Sequence, residues 1–204
     1  MEKNKSMKIF ALIAFLVLGC DSEKKNEKYI PNPDAVKLYK EAWKISIYEV
    51  EYNEKVDSAI VMMENAMKID SLYIEPYLSI IGLATLKKDK KQAIKYCLKA
   101  QNVFIDFPEF IVIEGVIHES NNDIQRAKKL YKKALDIYEN KLIDEMEEKP
   151  DLELHYIECL YINNQKKKAK LKLEELKANN KGDSFYEGLT IEDLTEAYRI
   201  IKKR

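Results

Sequence analysis

The chain is poor in residues that break helices, with five glycines and five prolines among 204 residues. That scarcity leaves little material for the closely spaced turns of a β-sandwich or barrel. Histidine occurs twice and cysteine three times, which supplies neither a coherent zinc cluster nor a disulfide framework. No sign of charge is in excess, with 35 basic and 35 acidic side chains. A mixed surface of this kind argues against general nucleic-acid binding, which needs a basic face to neutralise phosphates. The apolar run from Ile9 to Leu18 is ten residues long, short of the roughly 20 that a transmembrane helix requires. What remains is 34% charged residues, interleaved with Leu, Ile and Ala in long uninterrupted stretches, and it points to an all-α protein.

The opening of the chain divides sharply. Lys3, Lys5 and Lys8 precede the apolar run, and Val17-Leu18-Gly19 leads to Cys20. This is the layout of a secretory signal peptide. It resembles the bacterial lipoprotein signal, in which a peptidase cuts before a cysteine that then carries acyl chains. The resemblance implies a signal peptide over residues 1–19, lipidation at Cys20 and anchoring to a membrane of the cell envelope. Loss of residues 1–19 removes three basic side chains and one acidic one, leaving 32 and 34. Residues 20–32 are polar and offer almost nothing to bury, so a flexible tether is expected there.

A repeat organises the rest. Ala59, Ala93 and Ala127 are spaced 34 residues apart, as are Ala66, Ala100 and Ala134. The seven-residue separation within each pair puts both alanines on one helix face, where small side chains admit a neighbouring helix closely. These residues, with Trp43, Gly82, Gly115 and Tyr131, resemble the tetratricopeptide repeat, a helix-turn-helix unit with the same period. The resemblance implies an all-α, right-handed helical solenoid of about three to four units over residues 33–180. Gly82 falls on the family's close-approach glycine if the turn of the second unit is one residue short. Ile47 departs from that glycine in the first unit. The second helix of the third unit is expected to run on to about Lys149, and a fourth unit is degenerate, with Ala169 in place but Leu176 where the second alanine belongs. Asn32 is expected to cap the first helix and Thr190 the last, a capping helix from Ile191 to about Lys202 within residues 181–204.

Candidate chemistry is sparse. Glu114 and His118 stand at i,i+4, and His155 and Glu158 at i,i+3, but two such pairs from different units do not make a metal site. Cys97 and Cys159 read as separate core thiols. The chain shows no Gly-rich phosphate loop and no nucleophile elbow, so neither a cofactor nor an enzymatic activity is expected. The basic run at 164–172 reads as a solvated helix start, with contact to anionic lipid or an acidic partner as the other reading.

In tetratricopeptide arrays the first helices of the units line a groove that takes peptides or helices. By that resemblance the groove here collects Glu41, Lys44, Tyr48, Glu51 and Tyr52 from the first unit and Ser79 and Leu83 from the second. The third unit adds Val112, Val116 and Glu119, and the fourth His155 and Cys159. Tyrosines, apolar residues and carboxylates together suit a protein or peptide partner. The expected function is that of a lipid-anchored scaffold in the bacterial cell envelope, an accessory subunit of an assembly or secretion machine. The other reading is an immunity-type or solute-binding lipoprotein holding one toxin, peptide or glycan.

Overall fold

A computed structural model describes residues 29–48, 53–146 and 149–202. The signal-like segment, Cys20 and most of the tether, as well as Glu51 and Tyr52, lie outside the described residues. Those residues form helices and no strand, arranged as adjacent packed pairs in the manner of an all-α helical repeat. The chain divides into two compact units, one ending at Phe104 and the other beginning at Ile105.

The first unit holds α1 (Pro33–Tyr48), α2 (Asn53–Ile69), α3 (Glu75–Leu86) and α4 (Lys90–Val103). The expected cap of α1 is present: Asn32 Oδ1 accepts from the Asp34 amide at 2.9 Å, and Pro33 opens the helix, where its missing N–H costs nothing. On α2, Val56, Ala59, Ile60, Met63 and Ala66 are buried at helical spacing, and the helix packs on α1 and α3. Ala35, Ala66 and Tyr73 form a small core with Tyr39, whose ring meets that of Tyr73 edge-on at 5.4 Å. The Tyr39 and Ser79 hydroxyls lie 3.0 Å apart and tie α1 to α3. Every residue of α3 from Pro76 to Thr85 is buried, as an apolar sequence without a polar face requires.

The second unit holds α5 (Glu109–Ser120), α6 (Ile124–Lys141), α7 (Ile143–Met146), α8 (Pro150–Ile162), α9 (Lys166–Asn179), α10 (Ser184–Gly188) and α11 (Ile191–Lys202). The helix expected to reach Lys149 ends instead at Lys141. Leu142 leaves the helical region with φ −112° and ψ 1°, and α7 follows as a separate turn. Tyr138, Leu142 and Met146 are all buried, so the break keeps an inward-facing row while redirecting the chain. One further period beyond Ala127 falls on Tyr161, yet the buried alanine of the next pair is Ala169. The segment around α7 takes up the difference.

The repeat is written into the backbone of the turns. Lys88, Asn122 and Asn164 each adopt a left-handed conformation, with φ between 60° and 64°. The residue after each donates its amide back five positions, from Asp89 to Ala84, Asp123 to His118 and Gln165 to Leu160, at 2.8 to 3.0 Å. This is the Schellman closure of a helix end. Asp89 and Asp123 then cap the next helix, accepting from the Gln92 and Arg126 amides. Ala59, Ala93, Ala127 and Ala169 are all at 1% exposure or less, and Leu176 is likewise buried in the place of the missing alanine.

One expectation about the second unit is corrected by these turns. Lys88 and Asp89 stand one full period before Asn122 and Asp123, so the turn is not a residue short, and the counterpart of Gly115 is Ile81 rather than Gly82. A Cβ on Gly115 would lie 2.5 Å from Tyr131 Cε1 and 2.8 Å from its Cδ1. The counterpart of Tyr131 is Cys97. Large and small therefore exchange places between the two helices of a pair: Gly115 with Tyr131 in one unit, Ile81 with Cys97 in the other, all buried.

That exchange predicts the outcome of a substitution pair. Tyr131 is buried and donates to Glu119 Oε2 at 2.6 Å, so its ring has little freedom to retreat. Gly115→Ala should lower stability by about 1–3 kcal/mol through overpacking. Gly115→Ile combined with Tyr131→Cys should be more stable in urea titration than Gly115→Ile alone. If the double variant is no better, the two positions do not share volume.

Candidate functional site

The positions expected to line a groove can be compared between units once the register is fixed by the turns. Lys44 and Tyr48 stand to Ala59 as Val112 and Val116 stand to Ala127. In the second unit the same intervals before Ala93 fall on Leu78 and Gly82, and in the fourth, counted from Ala169, on Leu154 and Glu158. Ser79, Leu83, His155 and Cys159 are thus each one residue past the equivalent position.

Glu41 and Lys44 are exposed on α1, and Tyr48 is its last residue. Ser79, Leu83, Val112, Val116, His155 and Cys159 are buried, none above 7% exposure. Glu119 is half-buried and accepts from the Tyr131 hydroxyl. As the molecule stands, those six buried side chains are enclosed rather than offered to a partner.

Within the second unit the enclosing element is α11. Thr190 caps it as expected, accepting from the Asp193 amide at 3.1 Å while the Thr190 amide donates to Asp193 Oδ2 at 3.0 Å, a reciprocal capping box. The helix lies against α5 and α8, the first helices of two successive pairs, with lesser contact to α9. Ile191, Leu194 and Tyr198 are buried there. The sequence analysis expected this helix to cap the end of the stack; it lies instead mainly across the first helices of two pairs.

Beneath it lies a polar cluster that the sequence reading recognised only in part. Glu158 on α8 accepts from the Tyr198 hydroxyl of α11 at 3.1 Å and stands 3.3 Å from His155 Nδ1. Glu109 at the start of α5 accepts from Tyr138 of α6 at 2.8 Å through Oε1, while Oε2 is buried without a hydrogen-bond partner. Glu109 stands to Ala127 as Glu41 stands to Ala59 in the first unit. That shared register is the signal that could have singled it out.

The electrostatics follow from enclosure. Burial pushes His155 toward the neutral form, yet the hydrogen bond and charge of Glu158, with Glu109 and Asp151 behind it, raise its pKa to about 9. An imidazolium therefore balances Glu158 at neutral pH. Burial, followed by the Glu109 and Glu158 charges respectively, pushes Tyr138 and Tyr198 well above the usual phenol range. Burial also raises the Cys159 thiol, which is held protonated and is a poor nucleophile; its Sγ lies 3.8 Å from the Tyr131 carbonyl. Such groups act as a clasp of donors and acceptors between helices.

The other histidine sits at a helix end. His118 Nδ1 is 3.1 Å from Asp123 and Nε2 is 3.7 Å from Glu114, which Arg126 approaches at 3.8 Å. Among the described residues no group of three or more His, Cys, Asp and Glu side chains is placed to hold a metal. Cys97 and Cys159 are both buried thiols. In the basic run at 164–172, Lys166, Lys167, Lys168 and Lys170 are exposed and Lys168 bonds Glu139 at 2.6 Å.

The raised His155 pKa carries a definite sign. Its folded value lies above the unfolded value of 6.5, so the stabilisation is fully present below pH 6.5 and is lost as pH rises through about 9. Urea midpoints should fall across that window by an amount on the order of a few kcal/mol in free energy, and His155→Gln should flatten the profile there. A wild-type midpoint that rises between those pH values would contradict a charged His155.

Compared with known proteins, the chain matches no family model and no curated protein.

Proposed function

We propose that this chain is a lipid-anchored, tetratricopeptide-like scaffold that holds a protein or peptide partner in the bacterial cell envelope, as an accessory subunit of an assembly or secretion machine. The observation that carries the reading is the contrast between the first helices of the pairs. α3, α5 and α8 have their groove faces buried, whereas α1 presents Glu41, Trp43 and Lys44 to solvent. A solvent-facing tryptophan between opposite charges is the composition of an interface centre, where an aromatic anchor gives contact area and flanking charges give orientation. Docking on α1 places the partner on the helix that directly follows the tether. The anchor itself rests on Val17, Gly19 and Cys20, whose spacing matches the lipoprotein signal. No helix among the described residues is long and apolar enough to cross a membrane, and acyl chains on Cys20 are the means of attachment in this reading. Several chains hold a protein stably where one alone would not.

Two measurements test it. Cys20→Ser should move the chain from the membrane fraction to the soluble fraction and remove the acyl mass from its N-terminus. Cross-linked purification of the lipidated chain from its own membranes should recover a defined protein partner, and Glu41→Lys combined with Lys44→Glu should lose it. Recovery of the same set by both versions would reject α1 as the docking face.

A further inference from the structure

The tether is shorter than its sequence suggests. Tyr29 donates its hydroxyl to Asp70 Oδ2 at 2.8 Å, and the Asn32 amide donates to the same oxygen at 2.8 Å. The Leu72 amide donates to Oδ1 at 3.0 Å. Burial acts to raise the Asp70 pKa, but these hydrogen bonds outweigh it and hold the carboxyl below its usual range. Residues 29–32, expected as the end of a flexible segment, are thus fastened to the turn between α2 and α3. Even fully extended, the nine peptide links from Cys20 to Tyr29 span only about 30 Å.

Around this fastening point stand three bare aliphatic side chains. Ile30 is 80% exposed, Ile69 46% and Leu72 48%. Ile30 lies between Tyr29 and Asn32, Ile69 precedes Asp70 and Leu72 donates its amide to Asp70, so all three belong to the segments that this carboxylate joins. The charged side chains beside them are Lys68, exposed and bonded to Asn65, Asp34, exposed near the start of α1, Glu75, half-buried at the start of α3 with its charge acting on Tyr29, and Asp70 itself, whose carboxylate oxygens are occupied by the three donors. In the linking segment Lys24, Lys25 and Lys28 balance Asp21, Glu23 and Glu27. The contact this surface can make is therefore aliphatic rather than ionic.

We propose that Ile30, Ile69 and Leu72 form a second membrane contact, which seats the turn between α2 and α3 on the bilayer that holds Cys20. The inference rests on the lipid-anchor reading and adds an orientation to it. A lipidated Cys20 keeps this patch within about 30 Å of the bilayer, so docking is intramolecular and even a weak aliphatic contact is populated. The exposed aliphatic side chains, with the neighbouring Tyr29 hydroxyl taken up by Asp70 and Tyr73 buried, suit the acyl boundary of a bilayer.

Tryptophan quenching in brominated lipid tests the contact. The full lipidated chain, in a Trp43→Phe background, is reconstituted into phosphatidylcholine vesicles carrying bromines high on the acyl chains. Leu72→Trp and, separately, Ile30→Trp report on the patch, and Lys91→Trp reports on the exposed start of α4, beyond α3 in the chain. The expected result is blue-shifted, quenched emission at positions 72 and 30 and unquenched emission at 91, unchanged by added salt. Vesicle-bound chain with no quenching at 72 or 30 overturns the second contact and leaves the anchor intact. Chain that fails to float with the vesicles and lacks acyl mass on Cys20 overturns the anchor and this inference together. A blue shift in native membranes but not in protein-free vesicles assigns the patch to a protein partner and likewise overturns it.

Discussion

Close approach of helices at buried alanines is the constraint on which the rest of this structure depends. Ala59, Ala93, Ala127 and Ala169 sit at 1% exposure or less on the second helix of each pair, where any larger side chain would push the partner helix away. Once the pairs are drawn that close, the volume left between them is small, and each unit fills it differently. Gly115 admits Tyr131 in one, and Ile81 is met by Cys97 in another. Conserved space rather than conserved identity is what the repeat transmits along the chain. The turns obey the same economy, each using a single left-handed residue to end one helix and the next residue to begin another.

Enclosure then decides the chemistry. A carboxylate at the same register is solvated as Glu41 on α1 and buried as Glu109 on α5, because α11 and α6 close over the second and nothing described closes over the first. Burial turns His155, Glu158 and Tyr198 into a clasp whose charge is balanced internally. Breaking one member of such a cluster leaves another uncompensated, so the clasp fixes where α11 lies more than it adds net stability. The Asp70 fastening works by the same means nearer the start of the chain: one carboxylate collects three donors and thereby converts part of a polar segment into folded structure.

Helix type and the arrangement in repeated pairs were legible from residues alone, whereas the short helices α7 and α10 were not. The caps at Asn32 and Thr190, the extent of the last helix and the buried alanines are all local or periodic signals. The break at Leu142 was not legible, because Leu, Ile, Asp and Glu continue a helical pattern through it; burial of Leu142 and Met146 against neighbouring helices decides it. The one-residue offset of Ser79 and Leu83 from the register of the other units came from reading Gly82 as a landmark. Glycine marks close approach only where the opposing side chain is large, and the identity of that side chain is a fact of packing.

The sequence by itself determined the all-α pairs, their common period and the polar character of residues 20–32, since these follow from backbone propensity and spacing along one chain. Only the tertiary structure decided which of the first helices are covered, which carboxylate is buried and that residues 29–32 are fastened to Asp70. Each of those depends on what a helix or segment distant in sequence covers, and no local pattern encodes the identity of the covering partner: Tyr198 reaches Glu158 across 40 residues and Tyr29 reaches Asp70 across 41.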